Sequence, residues 1–106
     1  MPRLSLAALL AVLPWALLAL PAAAADPAAV GTCRVCHGLD GRGTNPMIPN
    51  LGGQLEQYLV KQLEYFRAGR RADPQMTIIA QGLDDDGLAA AAAWYAAVQA
   101  TFTPPP

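Results

Sequence analysis

The two cysteines and the single histidine of this 106-residue chain lie within five consecutive positions, Cys33-Arg34-Val35-Cys36-His37. On a helix, positions i, i+3 and i+4 share one face, so both thiols and the imidazole would point to the same side. C-x-x-C-H is the spacing by which c-type haem is attached to protein. The thiols would bind the edge of the macrocycle as thioethers, and the imidazole would bind the iron. The segment therefore predicts a covalent haem c held by Cys33, Cys36 and His37.

Three other uses of these residues remain open. A structural zinc site normally needs four Cys or His ligands, and this chain has three such residues in all. A thioredoxin-like redox pair of Cys33 and Cys36 belongs to a chain with a βαβ pattern, which is not visible here. A disulfide across so short a loop would constrain the unfolded chain little and would leave His37 without a role. Haem attachment uses all three residues and is the favoured interpretation.

Residues 1–25 have the composition of a secretory signal peptide. They contain a basic residue, a long apolar run and a small-residue stretch: Arg3, Leu4 to Leu20, and Ala23-Ala24-Ala25. We expect cleavage after Ala25 and a periplasmic mature protein, residues 26–106, with no stable membrane insertion. The alternative is an uncleaved membrane anchor, because a helix over this apolar segment could span the roughly 30 Å of a bilayer.

The expected mature chain is one small domain of weakly acidic charge. Without Arg3, six of the seven Lys and Arg residues remain against eight Asp and Glu, a net charge of −2. Such a surface argues against a nucleic acid partner. A domain of this size buries only a marginal core from its own side chains, and the apolar plate of a haem would add buried area. We therefore expect little stable tertiary structure without the haem.

The periodicity of the mature chain is helical, and no alternating run of β-branched and aromatic residues indicates a strand. A short helix is expected to carry the cysteines and to end at about His37, with Asp26 as its N-cap. Residues 38–53 contain five glycines and two prolines, which predicts a loop. The fold class is therefore predicted to be a small all-α domain.

Two longer helices and one short helical turn are expected after the loop. The first runs from Gln54 to Ala68 and ends at Gly69, with one apolar side formed by Leu55, Tyr58, Leu59, Leu63 and Phe66. A single short turn is predicted over residues 75–80. The last helix has Asp84 as N-cap and a buried stripe formed by Leu88, Ala92, Tyr95 and Val98. Residues 103–106 are predicted to be a flexible tail.

Several motifs occur in the order found in one known family. They are Cys33 to Gly38, Pro49 to Gln54, Tyr58 to Leu63, Phe66 to Arg71, Asp73 to Met76, and finally Leu83 with Trp94-Tyr95. On these residues the chain resembles a class I cytochrome c, closest to the single-haem domains of the cytochrome c4 and c553 group. The resemblance covers nearly all of residues 26–106. It implies three to five helices wrapped around one covalent haem c, with electron transfer as the function.

The resemblance also implies an axial methionine opposite His37. Met1 leaves with the signal peptide, so only Met47 and Met76 remain. In the family this ligand lies just before the last helix, as Met76 does, so Met76 is predicted and Met47 is the alternative. The resemblance further assigns the Pro49 carbonyl as the acceptor for the His37 ring. The candidates for binding the haem propionates or closing the pocket are Gln54, Tyr58, Arg70, Arg71 and Trp94.

The resemblance implies an electron carrier and not an enzyme. We expect it to shuttle single electrons between membrane cytochrome complexes, oxidases or periplasmic dehydrogenases through weak contacts of small area. Two alternatives keep the haem: a subunit of a larger dehydrogenase, or a haem sensor or enzyme with a displaceable sixth ligand. A thiol oxidoreductase without haem is a further alternative.

Overall fold

The computed structural model describes residues 26–106, and the predicted signal peptide, residues 1–25, lies outside them. The described chain folds into four helices, α1 (Ala28–His37), α2 (Glu56–Arg67), α3 (Met76–Gln81) and α4 (Asp85–Ala96). The rest of these 81 residues form turns and loops without a strand, so the all-α prediction is confirmed. Within residues 26–106, no helix has the length and apolar character needed to cross a membrane.

Helix α1 begins at Ala28, one residue later than an N-cap at Asp26 would require. Its N-cap is Pro27, and no side chain bonds to its first amides. The prediction of Asp26 as N-cap is therefore wrong, because an N-cap side chain must sit directly before the first helical residue. The Asp26 carboxylate instead lies 3.8 Å from the guanidinium of Arg34. The helix ends at His37 because Gly38 takes a φ of 71°, a left-handed conformation that favours glycine.

Helix α4 packs against both α1 and α2 and supplies half of the buried apolar residues. The carboxylate of Asp84 accepts a hydrogen bond from the Gly87 amide at 2.7 Å, as predicted for the N-cap. The buried residues of α4 are Leu88, Ala91, Ala92 and Tyr95. Tyr95 and Ala92 pack with Val30 of α1 and Leu59 of α2 in one cluster. Val98 lies beyond the end of the helix and is only partly buried.

The apolar side of α2 is divided between the core and a cavity. Leu59 and Phe66 are buried, whereas Leu55 is 73% exposed and Tyr58 is 48% exposed. Leu55 precedes the first helical residue, and Tyr58 lines a large cavity, as Leu59 and Phe66 also do. Of the predicted apolar side, Leu59 and Phe66 thus belong to the core, whereas Leu55 and Tyr58 do not. The predicted stop is present, since Gly69 follows the helix with a φ of 73°.

The loop between α1 and α2 folds back on itself at a glycine pair. The carbonyl of Gly41 accepts hydrogen bonds from the amides of Leu51 at 2.6 Å and Gly52 at 3.2 Å. A Cβ atom on Gly41 would collide with the backbone nitrogen of Gly52, so this close approach requires glycine. This close approach of Gly41 and Gly52, the glycine crossing, returns the chain after Met47 towards the end of α1.

Tyr95 ties α4 to both ends of this loop. Its hydroxyl donates to the Gly38 carbonyl at 2.8 Å, and its own carbonyl accepts from the Gly53 amide at 2.9 Å. Burial of the ring raises the pKa of the Tyr95 hydroxyl to about 12. The hydroxyl is thus a neutral donor at any physiological pH.

We predict that Tyr95→Phe lowers the free energy of unfolding by about 1–2 kcal/mol, because the Gly38 carbonyl loses its partner. The pKa of Tyr95 is higher in the folded state than the ordinary value near 10. The extra free energy of unfolding of the wild type over Tyr95→Phe is therefore complete below pH 10 and shrinks as the pH rises towards 12. Denaturant unfolding of both proteins across this range measures it. Tyr65→Phe, which removes a hydroxyl from a partly exposed ring, is the control. Equal stability of Tyr95→Phe and wild type at pH 7 would contradict the prediction.

Candidate haem-binding site

One cavity of about 590 Å³ is lined by residues from all four helices and from the loop between α1 and α2. This volume is in the range of cofactor sites in proteins. Its lining includes the four residues predicted from the sequence to bind the haem: Cys33, Cys36, His37 and Met76. Two of these side chains come from α1, one stands at the end of that helix, and one begins α3. The fold therefore brings the predicted residues around a single space.

The imidazole of His37 is held in one orientation. His37 is 6% exposed, and its Nδ1 lies 2.8 Å from the carbonyl oxygen of Pro49. A carbonyl can only accept, so Nδ1 carries the proton and donates it. The lone pair for a metal is then on Nε2, and the hydrogen bond also increases the donor strength of the ring. The hydrogen bond predicted between His37 and Pro49 is thus present, and it gives the loop crossing a role in the site.

Cys33 and Cys36 are both free thiols and form no disulfide with each other. Cys33 is partly buried, and its thiol donates to the Ala29 carbonyl at 3.2 Å. Burial raises the pKa of the Cys33 thiol. Cys36 is exposed, one turn further along the same helix. In the part of the chain that the structure describes, no three Cys, His, Asp or Glu side chains form a group that could hold a metal ion.

The two methionines differ in the burial of their side chains. Met76 is partly buried at the first position of α3, whereas Met47 is 87% exposed in the loop, although both line the cavity. The turn before Met76 is fixed by Asp73, whose Oδ1 accepts from the amides of Met76 at 2.8 Å and Gln75 at 2.9 Å. These hydrogen bonds lower the pKa of the Asp73 carboxylate. The Met47 amide likewise donates to Oδ1 of Asn45 at 2.9 Å, so the two methionines differ in the burial of their side chains and not in the support of their backbone.

Of the five candidates for propionate binding or pocket closure, three line the cavity and two do not. The three are Gln54, Tyr58 and Arg71. Arg70 instead lies with its guanidinium 5.9 Å from the ring centre of Tyr65, and the Trp94 indole donates to the Leu39 carbonyl at 2.9 Å. Gln62 also lines the cavity, and the sequence reasoning missed it. Its position four residues after Tyr58, on the same face of α2, was the signal that could have found it.

The lining of the cavity suits a flat, largely apolar group with iron at its centre. Much of the wall consists of aliphatic and aromatic side chains, including Ile48, Leu51, Leu59, Leu63, Phe66 and Ile79. Two thiols and a fixed imidazole enter this wall from α1, and a thioether enters from α3. Cysteine sulfurs attach c-type haem to the chain as thioethers, and imidazole and methionine sulfur are donors that ligate its iron. The residues present therefore fit haem c.

Comparison with known proteins places the chain in one family. Residues 24–98 match the family model of cytochrome c. Cytochrome c-554(548) of Halomonas halodenitrificans is 45% identical over 76 residues, covering 69% of this chain and 92% of that protein. The thiosulfate dehydrogenase electron acceptor of Thiomonas intermedia is 39% identical over 109 aligned positions, covering 100% of this chain and 48% of that protein. A solved structure of cytochrome c4 from Acidithiobacillus ferrooxidans matches at a TM-score of 0.56 and 38% identity, covering 60% of this chain and 37% of that one.

The chain belongs to the cytochrome c family. Within it the chain is similar to cytochromes of the c4 group, although it spans only about half or less of the length of two of the three relatives above. It is accordingly a small all-α haem c protein of electron transfer, with one covalent haem and the C-x-x-C-H spacing at Cys33 and Cys36 to attach it.

We predict that Asp73→Ala loosens the turn that carries Met76. The amides of Gln75 and Met76 lose their acceptor, so their hydrogen exchange in the haem-loaded protein should accelerate several-fold. Asp73→Asn keeps an acceptor oxygen and should accelerate exchange less. Because the pKa of Asp73 is lowered in the folded protein, its stabilisation is present above the ordinary value near 4 and is lost as the pH falls through the lowered value.

The control for this prediction is Asp86→Ala, at an exposed position in the first turn of α4. It removes the same charge but lies in α4 and not in the turn before α3. Exchange rates of the Gln75 and Met76 amides that are the same in Asp73→Ala and wild type would show that the carboxylate does not hold the turn.

Proposed function

We propose that the mature protein is a periplasmic carrier of single electrons, with Cys33 and Cys36 bound to haem c as thioethers and His37 and Met76 as the two axial ligands. The observation that carries this proposal is the convergence of these four side chains on one cavity. When bound, the haem supplies reversible one-electron chemistry at its iron. The residues of the chain would determine the orientation of the haem, the ligands of its iron and its exposure to solvent.

The side chains of the site favour electron transfer over substrate chemistry. The hydrogen bond to Pro49 fixes the His37 ring and its tautomer, so this side of the iron needs little rearrangement during a change of charge. Met76 offers a thioether, which raises the reduction potential. With His37 and Met76 both bound to the iron, no position would be open to oxygen or a substrate. The protein is therefore proposed to be a carrier and not an enzyme.

The proposed location follows from the N-terminal segment. Residues 1–25 are proposed to direct export and to be removed after Ala25, which releases residues 26–106 as one cytochrome c domain in the periplasm. Residues 103–106 are exposed and have no regular structure, which supports their assignment as a tail. The family match over residues 24–98 supports the same boundary, because it begins two residues before Asp26.

The proposed partners are redox proteins that the carrier meets briefly. Two exposed apolar side chains, Met47 at 87% and Ile78 at 70%, line the cavity and lie where a partner could approach a bound haem. One relative is named for accepting electrons from thiosulfate dehydrogenase. For this chain we propose the wider class of periplasmic dehydrogenases as donors, with membrane cytochrome complexes or oxidases as acceptors.

We predict that Met76→Ala abolishes the sulfur-to-iron charge-transfer band of the ferric protein. The ferrous variant should then bind carbon monoxide, because one axial position is no longer occupied by a side chain, and its reduction potential should fall. Optical spectra of both oxidation states with and without carbon monoxide make the measurement. Wild type should cycle reversibly between the two states and leave carbon monoxide unbound.

Met47→Ala is the matched control, since it removes the other methionine that lines the cavity. It should keep the band and exclude carbon monoxide. If the band persisted in Met76→Ala and vanished in Met47→Ala, the axial assignment would move to Met47. Rapid carbon monoxide binding by the wild type would favour a sensor or enzyme instead.

A further inference from the structure

Arg71 is the one cationic side chain that lines the cavity among residues 26–106. The other charged side chain in the lining is Asp73, whose Oδ1 is already used by the amides of Gln75 and Met76. His37 is the remaining basic group there, and its Nδ1 donates a hydrogen bond to the Pro49 carbonyl. An anionic group that entered this largely apolar cavity would thus find one side chain of opposite charge.

The guanidinium of Arg71 is positioned by two neighbours on α2. Its Nη1 donates to Oε1 of Gln62 at 2.6 Å, and the guanidinium lies 4.5 Å from the ring centre of Phe66. Both Gln62 and Phe66 also line the cavity. A stacked guanidinium keeps its planar edge in one orientation, so less conformational freedom remains to be lost when a ligand binds.

Arg71 has hydrogen-bonding capacity that the described chain leaves unused. A guanidinium has five N–H donors, and its side-chain bond to Gln62 uses one of them on a neutral acceptor. The two ion pairs within residues 26–106 join Arg34 to Asp26 and Arg67 to Asp85, so neither involves Arg71. The preferred partner of such a group is a carboxylate or phosphate, which it can bind through two parallel hydrogen bonds.

We propose that Arg71, oriented by Gln62 and Phe66, binds a carboxylate of the haem, so that the propionate edge of the ring lies at the α2–α3 side of the cavity. This inference rests on the proposed placement of haem c between His37 and Met76. The attached edge is fixed by Cys33 and Cys36 on α1, and Arg71 holds an anionic edge of the ring from another element. Arg71 is thus a positioning residue that also places a positive charge beside the haem.

The test compares Arg71→Gln with Arg70→Gln in the haem-loaded protein. Both variants remove one positive charge from adjacent positions, but Arg70 stacks on Tyr65 and does not line the cavity. Titration of the haem propionate methylene resonances by NMR reads the propionate pKa directly. We expect this pKa to rise by about one pH unit or more in Arg71→Gln, because a paired cation favours the ionised carboxylate. Arg70→Gln should leave it near the wild-type value.

A second measurement on the same variants is the reduction potential as a function of pH. Reduction removes positive charge from the iron, so each propionate binds protons more tightly in the ferrous state, and the potential falls with rising pH between the two pKa values. The wild type should be flat between pH 5.5 and about 8. In Arg71→Gln the propionate pKa values should be higher, so the potential should fall with rising pH within this range. At pH 7 the potential of Arg71→Gln should lie further below the wild-type value than that of Arg70→Gln. Arg71→Lys should restore the charge but only part of the propionate effect, since an ammonium lacks the planar fork.

Three results would overturn the proposal. The first is a propionate pKa that is the same in Arg71→Gln as in wild type. The second is an equal effect of Arg71→Gln and Arg70→Gln, which would indicate a general effect of surface charge. The third is a shift of the pKa of Asp73, which the charge of Arg71 lowers, without any shift of the propionate pKa. Failure of the haem placement itself is recognised separately, because Met76→Ala would then keep its charge-transfer band.

Discussion

A cavity of about 590 Å³ must be closed by a chain that has few large buried side chains of its own. The buried apolar residues are Val30, Leu59, Phe66, Ala80, Leu88, Ala91, Ala92 and Tyr95, and three of these eight are alanines. Area buried by so few side chains leaves a domain of this size only marginally stable. The haem therefore completes the core as well as providing the redox centre. Covalent attachment at Cys33 and Cys36 ensures that this part of the core is never lost by dissociation.

The remaining constraints act on His37 and Met76, the two side chains proposed to bind the iron. On the His37 side, Tyr95 holds the Gly38 carbonyl, and the glycine crossing in the loop returns Pro49 to the imidazole. On the opposite side, Asp73 holds the turn from which Met76 projects. Each of the two side chains proposed to bind the iron is thus held by a contact outside itself. In the proposed haem protein such support would keep the iron ligands in similar positions in both oxidation states, as rapid electron transfer requires.

The sequence predicted the parts of the fold that depend on local pattern. The C-x-x-C-H spacing, the glycine-rich loop, the Asp84 cap and the four helical segments depend on short-range geometry. Predictions failed at the ends of helices, where a shift of one or two residues matters. Asp26 is one position too early to cap α1, and Val98, predicted in the buried stripe of the last helix, lies beyond the end of α4 and is only partly buried. Spacing alone also could not separate Arg70 from Arg71, since only the folded chain shows which of them enters the cavity.

The most direct test of the haem as the missing part of the core is thermal unfolding followed by far-ultraviolet circular dichroism. The wild-type haem protein is compared with haem-free Cys33→Ser/Cys36→Ser. The account predicts a cooperative transition for the haem protein, and weak helicity without a cooperative transition for the haem-free variant. A haem-free chain with native helical content that unfolds cooperatively at a similar temperature would contradict it.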